Sequence, residues 1–216
     1  MTVRDGSGSA RRRAPGPQER VVDAERTRAA LLDAALQEFS EKGFAGARVR
    51  DIAERAGVSK DLIAYHFDGK EGLYRAVQRA WLHRRDGFAE PGLSLAESLA
   101  RYLHDALSDP RPMRLLAWRG LAAVGQGPPE SSADADYPDT ASLRRRLERG
   151  ELDRGLDPAT LQLVLLGAVA APVVFGDIAH RLFGIHPGES EFENRYRDGL
   201  QWILRALRGP EEQDNQ

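Results

Sequence analysis

The most constraining feature of this 216-residue chain is a pair of short helix signals joined by a tight glycine turn. In the first helix of this pair, apolar residues recur at helical spacing: Val49, Ile52, Ala53 and Ala56. Gly57 can take the left-handed conformation that ends this helix. Ser59 can cap the next helix, which we expect to end at Phe67. Two short helices joined so closely predict a helix-turn-helix.

A longer amphipathic helix precedes this pair, and a fourth helix follows it. The apolar stripe of the first helix consists of Leu32, Ala35, Leu36 and Phe39, at positions i, i+3, i+4 and i+7. Gly43 supplies a left-handed stop after this stripe. The fourth helix is expected to run from Lys70 to about Arg85. These signals together predict a three-helix head and a helix that connects it to the rest of the chain.

The head resembles the DNA-binding domain of the tetracycline-repressor (TetR) family. The resemblance rests on residues 49–53, the turn Ala56-Gly57-Val58-Ser59, the aromatic segment Tyr65-His66-Phe67, and Lys70-Glu71. These motifs occur together at fixed offsets and span roughly a quarter of the chain. The resemblance implies an all-α fold of about nine helices. An N-terminal helix-turn-helix domain would be followed by a C-terminal helical domain for ligand binding and dimerisation.

Composition and helix signals divide the chain into four parts. Residues 1–22, rich in Gly, Ser, Arg and Pro, are expected to form a disordered basic extension. Its arginine run at 11–13 either contacts the phosphate backbone or minor groove of DNA or is only solvated. Residues 23–69 are expected to form the helix-turn-helix domain, residues 70–208 the effector-binding and dimerisation domain, and residues 209–216 a disordered tail.

The C-terminal domain carries two further helix signals. Asp157 is expected to cap an eighth helix that reaches Phe183, and Pro172 inside it should bend or divide it. Ser190 and Glu193 have the spacing of a capping box at the start of the last helix.

By resemblance, ten residues are expected to contact DNA. They are Arg48, Arg50, Ser59, Lys60, Asp61, Leu62, Ala64, Tyr65, His66 and Lys70. Arg50 and Lys60 suit contacts to guanine in the major groove. Asp61 either accepts from a cytosine amino group or only stabilises the helix N-terminus.

Three of these residues match positions that usually hold DNA phosphates in the family, and Ser59 can add to them. Tyr65, His66 and Lys70 are expected to do so with their side chains, and Ser59 with its hydroxyl or backbone N–H. Such contacts position the protein without reading sequence. For His66 the alternative is packing against the first helix.

The sequence departs from the family pattern at three positions. Arg48 stands where a capping threonine is usual, Leu62 replaces a threonine, and Ala64 replaces a tyrosine. Leu62 and Ala64 would then offer apolar contacts to thymine methyl groups. Arg48 would replace the lost phosphate contacts with a full charge.

One head covers one half-site, so two copies about 34 Å apart on a palindrome are expected. The last two helices are the candidates for a homodimer interface. Their candidate residues are Leu161, Leu165, Ala168, Val169, Leu200, Ile203, Leu204 and Leu207. The alternative is that these residues only fill the core of one subunit.

Aromatic and soft side chains of the middle helices are candidates for an apolar effector cavity. They are Trp81, Tyr102, His104, Met113, Trp118 and Phe175. The alternative for each of them is ordinary core packing, and nothing identifies the effector. The fourth helix is the expected route by which an effector would alter the spacing of the two heads.

The charge distribution agrees with a DNA-binding head. Residues 1–85 hold 17 Lys and Arg against 12 Asp and Glu, a net charge of +5. Residues 86–216 hold 14 against 21, a net charge of −7, which accounts for the overall value of −2. A basic head on an acidic partner domain is typical of an electrostatic footprint on nucleic acid.

Other classes of function find little support in the sequence. The absence of cysteine removes disulfides and thiol nucleophiles. The five histidines lack metal-ligand spacing, no phosphate-cradling loop is evident, and we expect no catalytic residue, cofactor or metal. No apolar run is long enough for a membrane span, so a cytoplasmic protein is expected.

We therefore predict a sequence-specific transcriptional regulator, a repressor released from a palindromic operator by a small molecule. The alternative is a helical protein-interaction module that no longer reads DNA.

Overall fold

The computed structural model describes residues 17–86, 92–122 and 140–207. These residues form ten helices: α1 (Pro17–Gly46), α2 (Val49–Ala56), α3 (Asp61–Phe67), α4 (Lys70–Asp86), α5 (Leu95–Ser108), α6 (Arg111–Ala122), α7 (Ala141–Glu148), α8 (Pro158–Val174), α9 (Gly176–Phe183) and α10 (Ser190–Ala206). They contain no strand, and the all-α prediction is confirmed. The arginine run at 11–13 and the predicted tail at 209–216 lie outside the described residues.

The first helix starts earlier than the sequence predicted. α1 begins at Pro17, so residues 17–22 are helical and not part of a disordered extension. Proline at the first helical position sacrifices no hydrogen bond, because the first N–H groups of a helix have no partner within it. Gln18 and Glu19, which follow it, are good helix formers.

The helices α1 to α4 enclose the core of the head. Its buried members include Leu31, Ala35, Phe39, Ile52, Ile63, Phe67, Leu73 and Val77. The apolar stripes predicted for the first two helices therefore face this core, and so do Ile63 and Phe67 of α3. One member, Leu115, comes from α6.

Two glycines allow close approaches around this core. Gly43 has a φ of 67° and a ψ of 176°, and it bends the end of α1 where the sequence predicted a stop. A Cβ at Gly43 would lie 3.1 Å from Cε3 of Trp118. At Gly72 a Cβ would lie only 1.7 Å from the carbonyl oxygen of Phe67. The first turn of α4 therefore packs against the end of α3 more closely than any side chain would permit.

The helix α6 belongs to two cores at once. Leu115 lies in the core of the head, whereas Met113 lies in the core of the body, which α5, α6, α8 and α10 form. At the start of α6, Arg111 donates to Asp33 of α1, with a distance of 2.9 Å from Nη1 to Oδ1. Two turns later, Nε1 of Trp118 donates to the carbonyl oxygen of Ser40, also in α1, over 3.2 Å. α6 therefore fixes the head to the body.

A buried arginine secures α7 to the start of the body. Arg146 is 7% exposed, and its Nη1 donates to Glu151 over 2.8 Å. Its Nη2 donates to the carbonyl oxygen of Leu93, ahead of α5. Both polar ends of this buried guanidinium are thus satisfied.

The predicted eighth helix is two helices. Asp157 caps α8 as expected, since its Oδ2 accepts from the N–H of Thr160 over 2.8 Å. Pro172 stays inside α8 and leaves the carbonyl of Ala168 without its helical donor, and the hydroxyl of Tyr196 donates to that oxygen over 2.8 Å. The break follows at Phe175, where α8 and α9 meet at 86°.

The predicted capping box of the last helix is wrong. α10 begins at Ser190, preceded by Glu189, and no side chain caps it. Glu193 instead lies 3.0 Å from Nδ1 of His104 and connects α10 to α5. No single helix in the described parts of the chain is long and apolar enough to cross a membrane, although the bent pair α8 and α9 meets that test by length and composition.

Candidate DNA interface

The turn between α2 and α3 is held by backbone hydrogen bonds. Gly57, with a φ of 68°, donates to the carbonyl of Glu54 over 3.1 Å, and Val58 donates to that of Ala53 over 3.0 Å. This pair of bonds is a Schellman motif, which satisfies the last carbonyls of α2. Oγ of Ser59 accepts from the N–H of Asp61 over 3.3 Å, so it partly caps α3, which begins at Asp61.

The outward face of α3 is polar and open. Lys60 just before the helix is exposed, as are Asp61 and Ala64, and Tyr65 is 80% exposed. Leu62 is half-buried and packs against the core of the head. Of the two apolar side chains predicted to meet thymine methyl groups, only Ala64 therefore lies on the outward face.

The carboxylate of Asp61 has a local partner. Its Oδ2 lies 3.3 Å from Oγ of Ser59, and the residue stands in the first turn of α3. A carboxylate in this position is stabilised by the helix dipole. The geometry therefore favours the local role of Asp61 over a contact to cytosine.

Two predicted phosphate ligands lie against aromatic rings near the end of α3. The half-buried ring of His66 has its centroid 5.0 Å from that of Tyr65 and 6.2 Å from that of Phe67. Nζ of Lys70 lies 4.6 Å from the centroid of the Phe44 ring. The ring of His66 therefore lies beside the aromatic rings of α3, whereas the ammonium group of Lys70 lies over a ring at the end of α1.

Other cations of the head are paired with carboxylates at the α1–α2 joint. Glu38 is 1% exposed, and its Oε1 lies 2.5 Å from Nζ of Lys42. The hydrogen bond from Lys42 to Glu38 raises the pKa of Lys42 above its ordinary value. Lys42 also lies 3.5 Å from Asp51, and Arg55 lies 3.7 Å from Glu38 and 3.6 Å from Glu41. This network joins the two helices.

The cations near α3 are not neutralised in this way. Among the side chains that the structure describes, no carboxylate pairs with Arg48, Lys60 or Lys70. Arg50 is 84% exposed and only 3.9 Å from Asp51 at its nearest atoms, which is a loose contact. Positive charge is therefore left available on the surface that carries the outward face of α3.

The residues predicted to line an effector cavity lie in different surroundings. Trp118 packs at the α1–α6 joint, and Met113 is buried in the core of the body. His104 is exposed and contacts Glu193, and Phe175 is 54% exposed at the α8–α9 break. Tyr102 of α5 is half-buried and packs against the same cluster as Met113, and Trp81 of α4 is half-buried. The shared effector cavity therefore stays a prediction, since helical spacing gives the buried face of each helix but not what it faces.

Most residues predicted for the dimer interface lie in the core of the subunit. Leu161, Val169 and Leu204 are buried there, and Leu165, Leu200 and Leu207 pack against the same clusters. Ala168 is half-buried, and only Ile203 is mostly exposed, at 52%. Apart from Ile203, the outward apolar residues between the start of α8 and the end of α10 are not the predicted ones: Leu163, Val164, Val174, Phe175, Ile178, Leu182, Trp202 and Ile203. We call this set the apolar face.

An all-helical body joined to a helix-turn-helix head, whose recognition helix has an open outward face and lies between Lys60 and Lys70 in the chain, defines a helix-turn-helix regulator. The chain belongs to the TetR family. Residues 31–77 match the family model described as bacterial regulatory proteins of the tetR family. The transcriptional repressor SCO4008 of Streptomyces coelicolor is 30% identical over 188 residues, which cover 86% of this chain and 96% of that protein.

Two further similarities are of different extent. The transcriptional regulator RutR of Escherichia coli K12 is 38% identical over 116 residues, which are 50% of this chain and 54% of RutR, so the match spans about half of each protein. A solved structure that concerns the control of antibiotic production by a bacterial hormone is 27% identical, with a TM-score of 0.56 over 85% of this chain and 98% of that one.

Proposed function

We propose that this chain is a homodimeric repressor that binds a palindromic DNA site and releases it when a small molecule binds the body. The observation that carries the proposal is the outward face of α3, which is exposed and is flanked in the chain by Lys60 and Lys70, two cations that pair with no carboxylate in the described structure. An α-helix fits the major groove, where base edges present distinguishable donors and acceptors. The similarity to SCO4008, which is named a repressor, supports repression.

Two side chains are proposed to read bases. Arg50 is more exposed than Arg55, the other cation of α2, and its guanidinium is shaped for a bidentate contact to guanine. Lys60 stands exposed at the entrance to α3. Tyr65, His66 and Lys70 near the far end of α3 would hold phosphates, together with Ser59 and Arg48, which are both exposed.

The apolar face is proposed to be the dimer interface. It consists of eight large apolar side chains on α8, α9 and α10 and at the α8–α9 break, each at least 41% exposed. An exposed apolar surface of this kind is typical of an association site. A two-fold axis through it would place two heads on one duplex, with half-sites about 34 Å apart.

Release by an effector is proposed to act through α6. This helix shares the core of the body through Met113 and the core of the head through Leu115, so a ligand that displaces it in the body also displaces α1. Each tenfold loss of DNA affinity needs about 1.4 kcal/mol of coupling between the two sites. The solved relative concerned with a bacterial hormone supports a small diffusible effector.

Selection of bound sites from a pool of randomised duplexes tests this function in the full-length chain. We expect enriched palindromes whose half-sites are separated by about 10 base pairs or a multiple of that. Arg50→Ala and Lys60→Ala should each relax the preference at one position and cost about 1–3 kcal/mol on the preferred site. Arg144→Ala, which removes an exposed cation of α7, is the matched control and should change nothing.

Binding without sequence preference would contradict the proposal. If the chain binds every duplex equally at low salt and no sequence is enriched, it does not read bases. The protein would then be a helical interaction module with only non-specific attraction to DNA.

A further inference from the structure

Arg28 of α1 lies outside the helix-turn-helix, yet its guanidinium reaches the end of the recognition helix. Cζ of Arg28 lies 5.2 Å from the centroid of the Phe67 ring. Phe67 is the last residue of α3 and is 7% exposed, while Arg28 itself is exposed. A guanidinium over a ring is attracted to its negative face, and its N–H groups remain free to donate at the edges.

The surroundings of Phe67 identify what these donors can meet. His66 precedes Phe67 and lies beside its ring, so two nitrogen-bearing side chains, those of His66 and Arg28, lie at one end of α3. Lys70 follows three residues later, with its Nζ over the ring of Phe44. Arg28 and Lys70 are each positioned by a cation–π contact with an aromatic ring of the head. The ends of a helix in the major groove lie beside the sugar-phosphate backbone.

The charge of Arg28 is available for a ligand. Within the described part of the chain Arg28 forms no ion pair, whereas Lys42, Arg55 and Arg111 each contact a carboxylate. Arginine is also the side chain best suited to phosphate, because its planar fork donates two parallel hydrogen bonds.

From this arrangement we infer that Arg28 binds a phosphate of the DNA backbone and that Phe67 holds its guanidinium in position. The inference rests on the proposed DNA binding and extends the contact surface from the helix-turn-helix to α1. A phosphate contact adds affinity for any sequence and does not alter which sequence is preferred. It also makes binding more dependent on salt, because counterions are released from the duplex.

The salt dependence of binding tests the inference. Full-length protein is titrated against a selected operator duplex, and against a scrambled duplex of equal length, between about 50 and 200 mM salt. Arg28→Ala should lower the slope of log K against log salt by about 0.9 for each bound head, hence by about 1.8 for a dimer. Affinity should fall on both duplexes by a similar factor, and the selected sequence should stay the same.

Three further variants separate charge from packing. Arg28→Gln keeps a polar side chain of similar shape near Phe67 without the charge. It should reduce the slope of log K against log salt by the same amount as Arg28→Ala. Arg28→Lys keeps the charge, and its binding should depend on salt almost as steeply as that of the unmodified chain. Arg26→Ala removes another exposed arginine of α1, about 200° around the helix from Arg28, and should bind as the unmodified chain does.

The outcomes distinguish this inference from the function on which it rests. If Arg28→Ala and Arg28→Gln bind with an unchanged slope, Arg28 is only a packing residue and the inference is wrong, even when thermal stability falls. If the unmodified chain retards neither duplex, the proposed function itself fails, and the inference fails with it.

Discussion

At the scale of single residues, Gly72 decides how closely α4 approaches α3. We predict that Gly72→Ala destabilises the protein by about 1–3 kcal/mol or more, because the new methyl group would overlap the carbonyl oxygen of Phe67 and backbone would have to move. The free energy of unfolding in urea measures the effect. Gly120→Ala is the control, since a Cβ there meets no atom within 4 Å, and it should be neutral or slightly stabilising.

Asp157 gives a second prediction at this scale, which concerns pH. Hydrogen bonds from the side chain and backbone of Thr160 lower the pKa of Asp157 in the folded protein below its ordinary value of 3.8. A carboxylate with a depressed folded pKa contributes stability above its unfolded pKa and loses it as the pH falls through the folded one. Asp157→Asn keeps a capping side chain that does not titrate.

Thermal unfolding midpoints of the two proteins at neutral and at acid pH measure this contribution. Any stability advantage of the unmodified chain over Asp157→Asn should shrink as the pH falls below about 4. Thr160→Val, which removes the hydroxyl donor, should move the acid loss to a higher pH. A constant difference between the unmodified chain and Asp157→Asn at all pH values would refute this assignment.

At the scale of elements, α6 determines whether the head and the body unfold together. Because Leu115 and Met113 place one helix in both cores, we predict a single calorimetric transition for the unmodified chain. The double variant Arg111→Gln and Trp118→Leu removes the polar contacts that these two side chains make with α1 and should separate the head into an earlier transition. Two transitions in the unmodified chain would contradict this view of α6.

The sequence predicted the elements of the head well because their signals are local. Glycines at 43 and 57, the Asp157 cap and the apolar stripes each act within a few residues of the chain. The contacts that join elements depend on residues far apart in sequence. Asp33 and Arg111 are 78 residues apart, and no local pattern pairs them.

The same limit explains the errors in the C-terminal half. α8 is apolar on nearly all sides, so its periodicity does not tell the buried Leu161 from the exposed Leu163. The position of the α8–α9 break was not predictable from Pro172, because Tyr196 of α10 satisfies the carbonyl that the proline leaves free. The approach of Arg28 to Phe67 likewise joins residues 39 positions apart, outside the motif that identifies the head.

Across the whole molecule, the cations of the head fall into two groups, those paired with carboxylates and those without such a partner. Carboxylates neutralise the cations that hold α1 to α2 and α6, as with Glu38 beside Lys42 and Asp33 beside Arg111. Cations around α3, including Lys60 and Lys70, have no such partner in the described structure. A chain with a net charge of −2 can therefore still present a positive surface where DNA would lie.

Within the described structure, the side chains of the apolar face are exposed, and their association can be tested by placing a charge among them. Leu163→Glu places a charge in that face, where a second copy would bury it at a cost of several kcal/mol. We expect the variant to sediment as a monomer, to keep its helical circular dichroism, and to lose most of its affinity for a palindrome while retaining weak binding to one half-site. Leu121→Glu is a closely matched control, because Leu121 on α6 is 70% exposed and Leu163 is 69% exposed. If Leu163→Glu and Leu121→Glu have the same sedimentation coefficient as the unmodified chain, the apolar face is not the dimer interface.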